Sequence, residues 1–201
     1  MERVSTDRPG WAEDVAGAVL GADRRGPLVR VVAVEGRSGS GKSMVAARVC
    51  RALADRDEPV ALVTMEDLYP GWEGLAEAPA LLRSWVLLPL AEGRPPAWHR
   101  YDWKHGAFGA ERVTLPAALV ARGGTLVVEG CGSGAAPVRD LPDLLVWVEA
   151  DARTRARRLD AREDADTYAP HRASWARQEN ALYACDPPRD RADLLVENGP
   201  Q

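Results

Sequence analysis

The sequence predicts an α/β protein built on a doubly wound, five-stranded parallel sheet. Three observations carry this. Short runs rich in valine and leucine alternate with helix-patterned stretches along the chain, which is the rhythm of repeated β-α-β units. The five runs, at Val29–Val34, Val60–Thr64, Thr125–Val128, Leu144–Val148 and Leu194–Val196, are apolar at nearly every position, as strands buried on both faces must be. Immediately after the first run comes Gly36-Arg37-Ser38-Gly39-Ser40-Gly41-Lys42-Ser43, which fits the phosphate-loop pattern G-x-x-x-x-G-K-[ST] between a strand and a helix.

The N-terminal part reads as an amphipathic helix, Trp11 to Leu20, before the first strand, and Lys42 to Asp55 as the helix that leaves the loop. Glycines at 36, 39 and 41 let successive backbone N–H groups turn inward around phosphate oxygens without Cβ clashes. The expected nucleotide-binding set is therefore Gly36, Ser38, Gly39, Ser40, Gly41, Lys42, Ser43 and Met44. The helix N-terminus adds its positive end, Lys42 reaches the β- and γ-phosphates, and the Ser43 hydroxyl is placed to ligate Mg²⁺.

Strand two ends in Glu66-Asp67-Leu68-Tyr69, which delivers adjacent carboxylates to the carboxyl end of the sheet, where ligands bind in such folds. One of the two is expected to orient an attacking hydroxyl and take its proton. Neighbouring side chains point differently, so Glu66 and Asp67 remain alternatives. Strand three ends in Val127-Val128-Glu129-Gly130. An apolar run closed by an acid is common at strand ends, but beside a phosphate loop it marks Glu129 as a Mg²⁺ ligand, direct or through water.

Between strands two and three lies an insertion of about residues 70–115, with a turn at Pro70-Gly71, a helix from about Ala78 to Leu90, and the aromatic stretch Trp98-His99-Arg100-Tyr101-Asp102-Trp103. An insertion of this kind is where an acceptor site is expected. After strand four, a helix from Asp151 to Arg162 carries Arg155, Arg158 and Arg162 at i, i+3 and i+7, one face that can clamp phosphates. The acidic turn Glu163–Asp166 follows, and then a helix from about His171 to Tyr183. The three histidines have no metal-ligand spacing.

Composition narrows the class. With 201 residues, 46% hydrophobic and 28% charged, the chain suits one well-packed domain spanning residues 1–201. A net charge of −4 and a pI near 5.5 give no basic surface for nucleic acid. Only two of the basic residues are lysine. Arginine suits a bidentate grip on phosphates, and a GC-rich genome would give the same bias. Cys50, Cys131 and Cys185 are far apart without C-x-x-C spacing, which points to a reducing, cytoplasmic compartment. No stretch approaches the ~20 apolar residues of a membrane span, and no leader pattern is seen. A homo-oligomer is compatible with all of this.

These segments together resemble the uridine kinase branch of the P-loop kinases, related also to phosphoribulokinase and bacterial pantothenate kinase, over about Val29 to Glu197. The resemblance implies the P-loop NTPase fold, ATP with Mg²⁺, and a small-molecule hydroxyl acceptor. It places Glu66 where the family has its aspartate base, with Asp67 beside it. Through the family's Tyr-Asp-Phe segment it implies acceptor contacts for Tyr101, Asp102 and Trp103, with His105 one position from a base-contacting histidine and Tyr69 nearby. It likens Arg155, Arg158 and Arg162 to the lid arginines and implies a lid near residues 155–170, at the acidic turn Glu163–Asp166. Pro70-Gly71-Trp72 and Trp98 are not family signatures, so an acceptor other than uridine or cytidine stays open.

The expected activity is therefore phosphorylation of a small-molecule hydroxyl, with a nucleoside-like compound as first choice. A sugar acid, a vitamin or an antibiotic is an alternative acceptor. A nucleotide-dependent switch acting through a protein partner is the reading from another class.

Overall fold

The computed structural model describes residues 1–199, apart from the side chain of Cys185. The last two residues of the expected single domain lie outside that range. Six parallel strands form the central sheet in the order β1 (Glu2–Ser5), β8 (Leu194–Glu197), β7 (Leu144–Glu149), β2 (Val29–Glu35), β6 (Gly124–Glu129) and β3 (Val60–Thr64). All five expected strands are present. The sixth, β1, extends the edge by pairing with β8; its sequence, Glu-Arg-Val-Ser, has one apolar residue and so shows no apolar run.

Alternation within each strand divides the core into layers on the two faces of the sheet. Val32 and Val34 of β2, Val127 of β6 and Val146 and Val148 of β7 pack on one face with α1 (Trp11–Gly21) and α2 (Lys42–Ala54). Val31 of β2 and Leu126 and Val128 of β6 pack on the other. There they meet α3 (Ala78–Leu82), which continues through a π-helical turn (Arg83–Leu87) into α4 (Leu88–Ala91). Ala33, Trp147 and Leu195 join this second face beneath Tyr183.

The insertion contains a feature the sequence reading did not foresee. Its aromatic stretch is a strand, β4 (Ala97–Asp102), paired antiparallel with β5 (Ala107–Thr114) in a separate hairpin. The turn follows from its residues: Asp102 Oδ1 accepts the N–H groups of Lys104 and His105, and Gly106 takes φ 69°. After α5 (Ala117–Arg122), β6 and β7, the chain forms α6 (Ala152–Asp160), the one-turn α7 (Ala165–Tyr168) and α8 (Arg172–Cys185). Asp151 caps α6, accepting from the Thr154 N–H at 2.9 Å. The expected acidic turn is thus partly helical. Among the described residues no helix is long and apolar enough to cross a membrane.

Candidate active site

The phosphate loop joins β2 to α2 at the carboxyl end of the sheet. Gly39 and Gly41 both lie at positive φ, 78° and 93°. A Cβ on Gly41 would come within 2.1 Å of the Asn198 amide nitrogen, and one on Gly39 within 2.6 Å of the Arg155 carbonyl oxygen. Glycine is therefore required here by close packing as well as by the turn. Gly36 and Ser40 shape the loop from beneath. The Gly36 N–H is held by Glu35, and the Ser40 hydroxyl is buried with no partner among the described residues. Met44 follows on the helix and does not line the cavity.

Lys42 is buried, its ammonium donating to the Arg37 carbonyl at 3.2 Å and lying 3.5 Å from Cys131 Sγ. Burial works against its charge, but the surrounding anionic groups outweigh this and lift its pKa above the ordinary value. Burial pushes the Cys131 thiol up to about 12, so it is neutral near pH 7 and the carboxylates of Glu179, Glu129 and Glu35 supply the compensation.

Glu129 sits where strand pairing sets it, opposite Val34 on β2 and Thr64 on β3. Its carboxylate accepts from Ser43 Oγ at 3.2 Å and from Thr64 Oγ1 at 3.0 Å. This cluster of hard oxygen donors fits Mg²⁺, which takes one or two protein ligands and completes its octahedron with water and phosphate. No group of three or more His, Cys, Asp or Glu side chains forms a closed metal cage among the described residues.

From the loop a cavity of about 730 Å³ opens. Ser38, Gly39, Gly41, Lys42, Ser43, Glu66, Tyr69, Trp103, Glu129, Arg158 and Arg162 of the expected site residues line it. Glu66 and Asp67 part company here. The Glu66 carboxylate is 3.7 Å from the Arg162 guanidinium in the cavity. Asp67 points to the hairpin instead, accepting from Arg100 Nε at 3.0 Å and Trp98 Nε1 at 3.3 Å. The Glu66 side chain keeps 65% of its exposure, yet partial burial against the cavity wall outweighs the pull of Arg162 and raises its pKa.

Three expected acceptor contacts are turned away. Tyr101 packs edge-on against Phe108 and Trp103, Asp102 caps the hairpin turn, and His105 Nδ1 lies 2.6 Å from Asp102 Oδ2; none lines the cavity. The cause is local: strand alternation and turn capping use these side chains inside the hairpin. Arg155 is likewise outside, with Nη1 3.5 Å from the Ser38 carbonyl, whereas Arg158 grips the Ser40 and Gly199 carbonyls and Arg162 pairs with Asp164 while lying over the Tyr168 ring.

The far wall is aromatic: Trp72, Tyr168 and Trp175 join Tyr69 and Trp103. Trp72 stacks flat on His171 with centroids 4.4 Å apart and meets Trp103 at 4.8 Å. Sequence reasoning missed Trp72, Tyr168 and Trp175 because three separate segments contribute them. It also missed Asn198, whose amide donates to the Ser40 carbonyl at 2.7 Å, and Glu179, which accepts from Ser38. Spacing alone could have found one stripe, since Trp175, Glu179 and Tyr183 recur every fourth residue.

Solved structures share this fold. A possible uridine kinase from Bacillus stearothermophilus superposes with a TM-score of 0.66 at 16% identity, covering 92% of this chain and 96% of its own. A protein provisionally named a fructose transport system kinase, from Silicibacter sp. TM1040, gives 0.58 at 20% identity over 92% and 98%. A proposed P-loop kinase with a circular permutation, from Saccharomyces cerevisiae, gives 0.50 at 11% over 94% and 99%. No protein-family model matches the chain, and no curated protein matches it in sequence. The chain shares the α/β fold of these solved structures.

Proposed function

We propose that this protein is an ATP- and Mg²⁺-dependent phosphotransferase that phosphorylates a hydroxyl of a small molecule, with a nucleoside or nucleoside-like compound as first choice. The observation that carries the reading is that one cavity joins the phosphate loop, the Ser43–Glu129 pair, the Glu66 carboxylate and an aromatic wall. A binding module needs only the first two, whereas transfer also needs a base and a surface for the acceptor within reach of them.

In this reading the loop N–H groups and Lys42 hold the triphosphate, with Ser43 and Glu129 holding Mg²⁺, which when bound would offset the charge of the phosphate oxygens. Glu66 orients the acceptor hydroxyl and takes its proton, a role that its raised pKa suits. Asp67 is left to the hairpin. Arg162, held between Glu66 and Asp164, brings a positive charge to the cavity beside the base, and Arg158 braces the loop through the Ser40 carbonyl. Trp72, Trp103 and Trp175 offer flat apolar surface to a ring-bearing acceptor.

One observation favours a second reading within the same class. Tyr101, Asp102 and His105 turn away from the cavity, so the groups that would read a pyrimidine edge by likeness to uridine kinases are engaged elsewhere. A sugar acid, a vitamin or an antibiotic then becomes a competing acceptor. The test is ADP release from Mg²⁺-ATP across nucleosides, sugars, vitamins and amino alcohols, with Lys42→Ala as blank. Acceptor-dependent ADP from one chemical group supports the proposal and names the group. Tight ATP binding with no stimulation by any acceptor would defeat it in favour of a nucleotide-dependent switch.

A further inference from the structure

One helix reaches from the acceptor wall to the phosphate loop. On the α8 stripe, Trp175 meets the Tyr69 ring edge-on at 4.8 Å, and the Tyr183 hydroxyl donates to Glu35 at 2.8 Å. Between them Glu179 is only 2% exposed. Its Oε1 accepts the Ser38 N–H at 2.8 Å and the Ser38 hydroxyl at 2.6 Å, and lies 3.1 Å from Cys131 Sγ. Its other oxygen is 3.7 Å from the Arg37 guanidinium. Flanking residues tighten the same link: Gln178 donates to the Trp72 carbonyl at 2.8 Å, and Asn180 accepts from Arg37 at 2.7 Å.

A carboxylate this buried is costly unless its oxygens are engaged. Here a loop built to present N–H groups to phosphate commits one of them to the protein's own carboxylate. Ser38 lines the cavity with Gly39, Gly41, Lys42 and Ser43, opposite Tyr168 and Trp175, so its orientation bears on how bound phosphates face the acceptor. α8 carries Trp175 and Glu179 about one turn apart, so one helix holds both the wall and the loop contact.

We propose that Glu179 is a positioning residue for phosphoryl transfer: it fixes Ser38 and, through α8, keeps the phosphate loop in register with the acceptor wall. The inference rests on the phosphotransferase reading above. Its test compares wild type, Glu179→Gln and Glu179→Ala by amide hydrogen exchange of the Gly36–Ser43 segment without nucleotide, and by kcat, KM for ATP and thermal melting. In the alanine variant loop exchange speeds up and kcat falls about 10²-fold, while Mg²⁺-ATP affinity changes little. Glutamine, which keeps an accepting oxygen, restores slow exchange and most of kcat. Unchanged exchange in both variants, or a loss of activity that follows only the folded fraction, overturns the proposal. Faster exchange in Glu179→Ala, with a wild type that phosphorylates no acceptor, upholds the holding of Ser38 and removes the phosphotransferase reading instead.

Discussion

The Glu66 carboxylate stands 3.7 Å from the Arg162 guanidinium across the cavity, so the candidate base is paired with a cationic side chain just beyond α6. This pairing separates two adjacent acids that look interchangeable in sequence. Glu66→Gln is expected to lower turnover about 10²–10⁴-fold, with ATP affinity retained. Nucleotide titration beside steady-state rates checks this, and an active Glu66→Gln protein would remove Glu66 as the base.

The same pair predicts a pH effect. Partial burial raises the Glu66 pKa while Arg162 holds it down. A base works only when deprotonated, so kcat/KM should rise with pH through this elevated value. Arg162→Ala removes the downward pull and should move the acid limb to higher pH. A limb that moves to lower pH would contradict the assignment.

Asp67 predicts the opposite pattern. Its bonds to Trp98 and Arg100 tie the hairpin to the end of β3, and the side chain is 18% exposed. Asp67→Ala should cost about 1–2 kcal/mol of stability, measured by denaturant unfolding, and leave most of the turnover in the folded protein.

Ser43 and Glu129 predict the metal dependence. Glu129→Gln keeps the bulk of the side chain and removes its charge, so half-saturation should need more Mg²⁺ while the melting temperature holds. A Mg²⁺ titration of acceptor-dependent ADP release reads this. An unaltered Mg²⁺ requirement would take Glu129 out of the metal site.

The acceptor wall can be tested against the hairpin. Trp72→Ala should raise the acceptor KM, whereas His105→Ala should leave it unchanged, because His105 pairs with Asp102 outside the cavity. A raised KM in His105→Ala would restore the acceptor contact that the family resemblance implies.

By itself the sequence determined five of the six strands of the sheet and the glycine-rich loop that follows β2. Runs such as Val29–Val34, short, rich in β-branched valine and bounded by glycine, read as strands covered on both faces, and Gly36–Ser43 carries its geometry in its own backbone, so both are local properties. The tertiary structure alone decided what depends on distant segments meeting. It turned Asp67 to the hairpin and Glu66 to Arg162, 96 positions further along the chain. It used Tyr101, Asp102 and His105 within the hairpin rather than along the cavity, and it built the aromatic wall from Trp72, Trp103, Tyr168 and Trp175. The physical reason is direction. Periodicity shows which residues share a face, but which partner satisfies a polar side chain depends on what packing brings within hydrogen-bond reach.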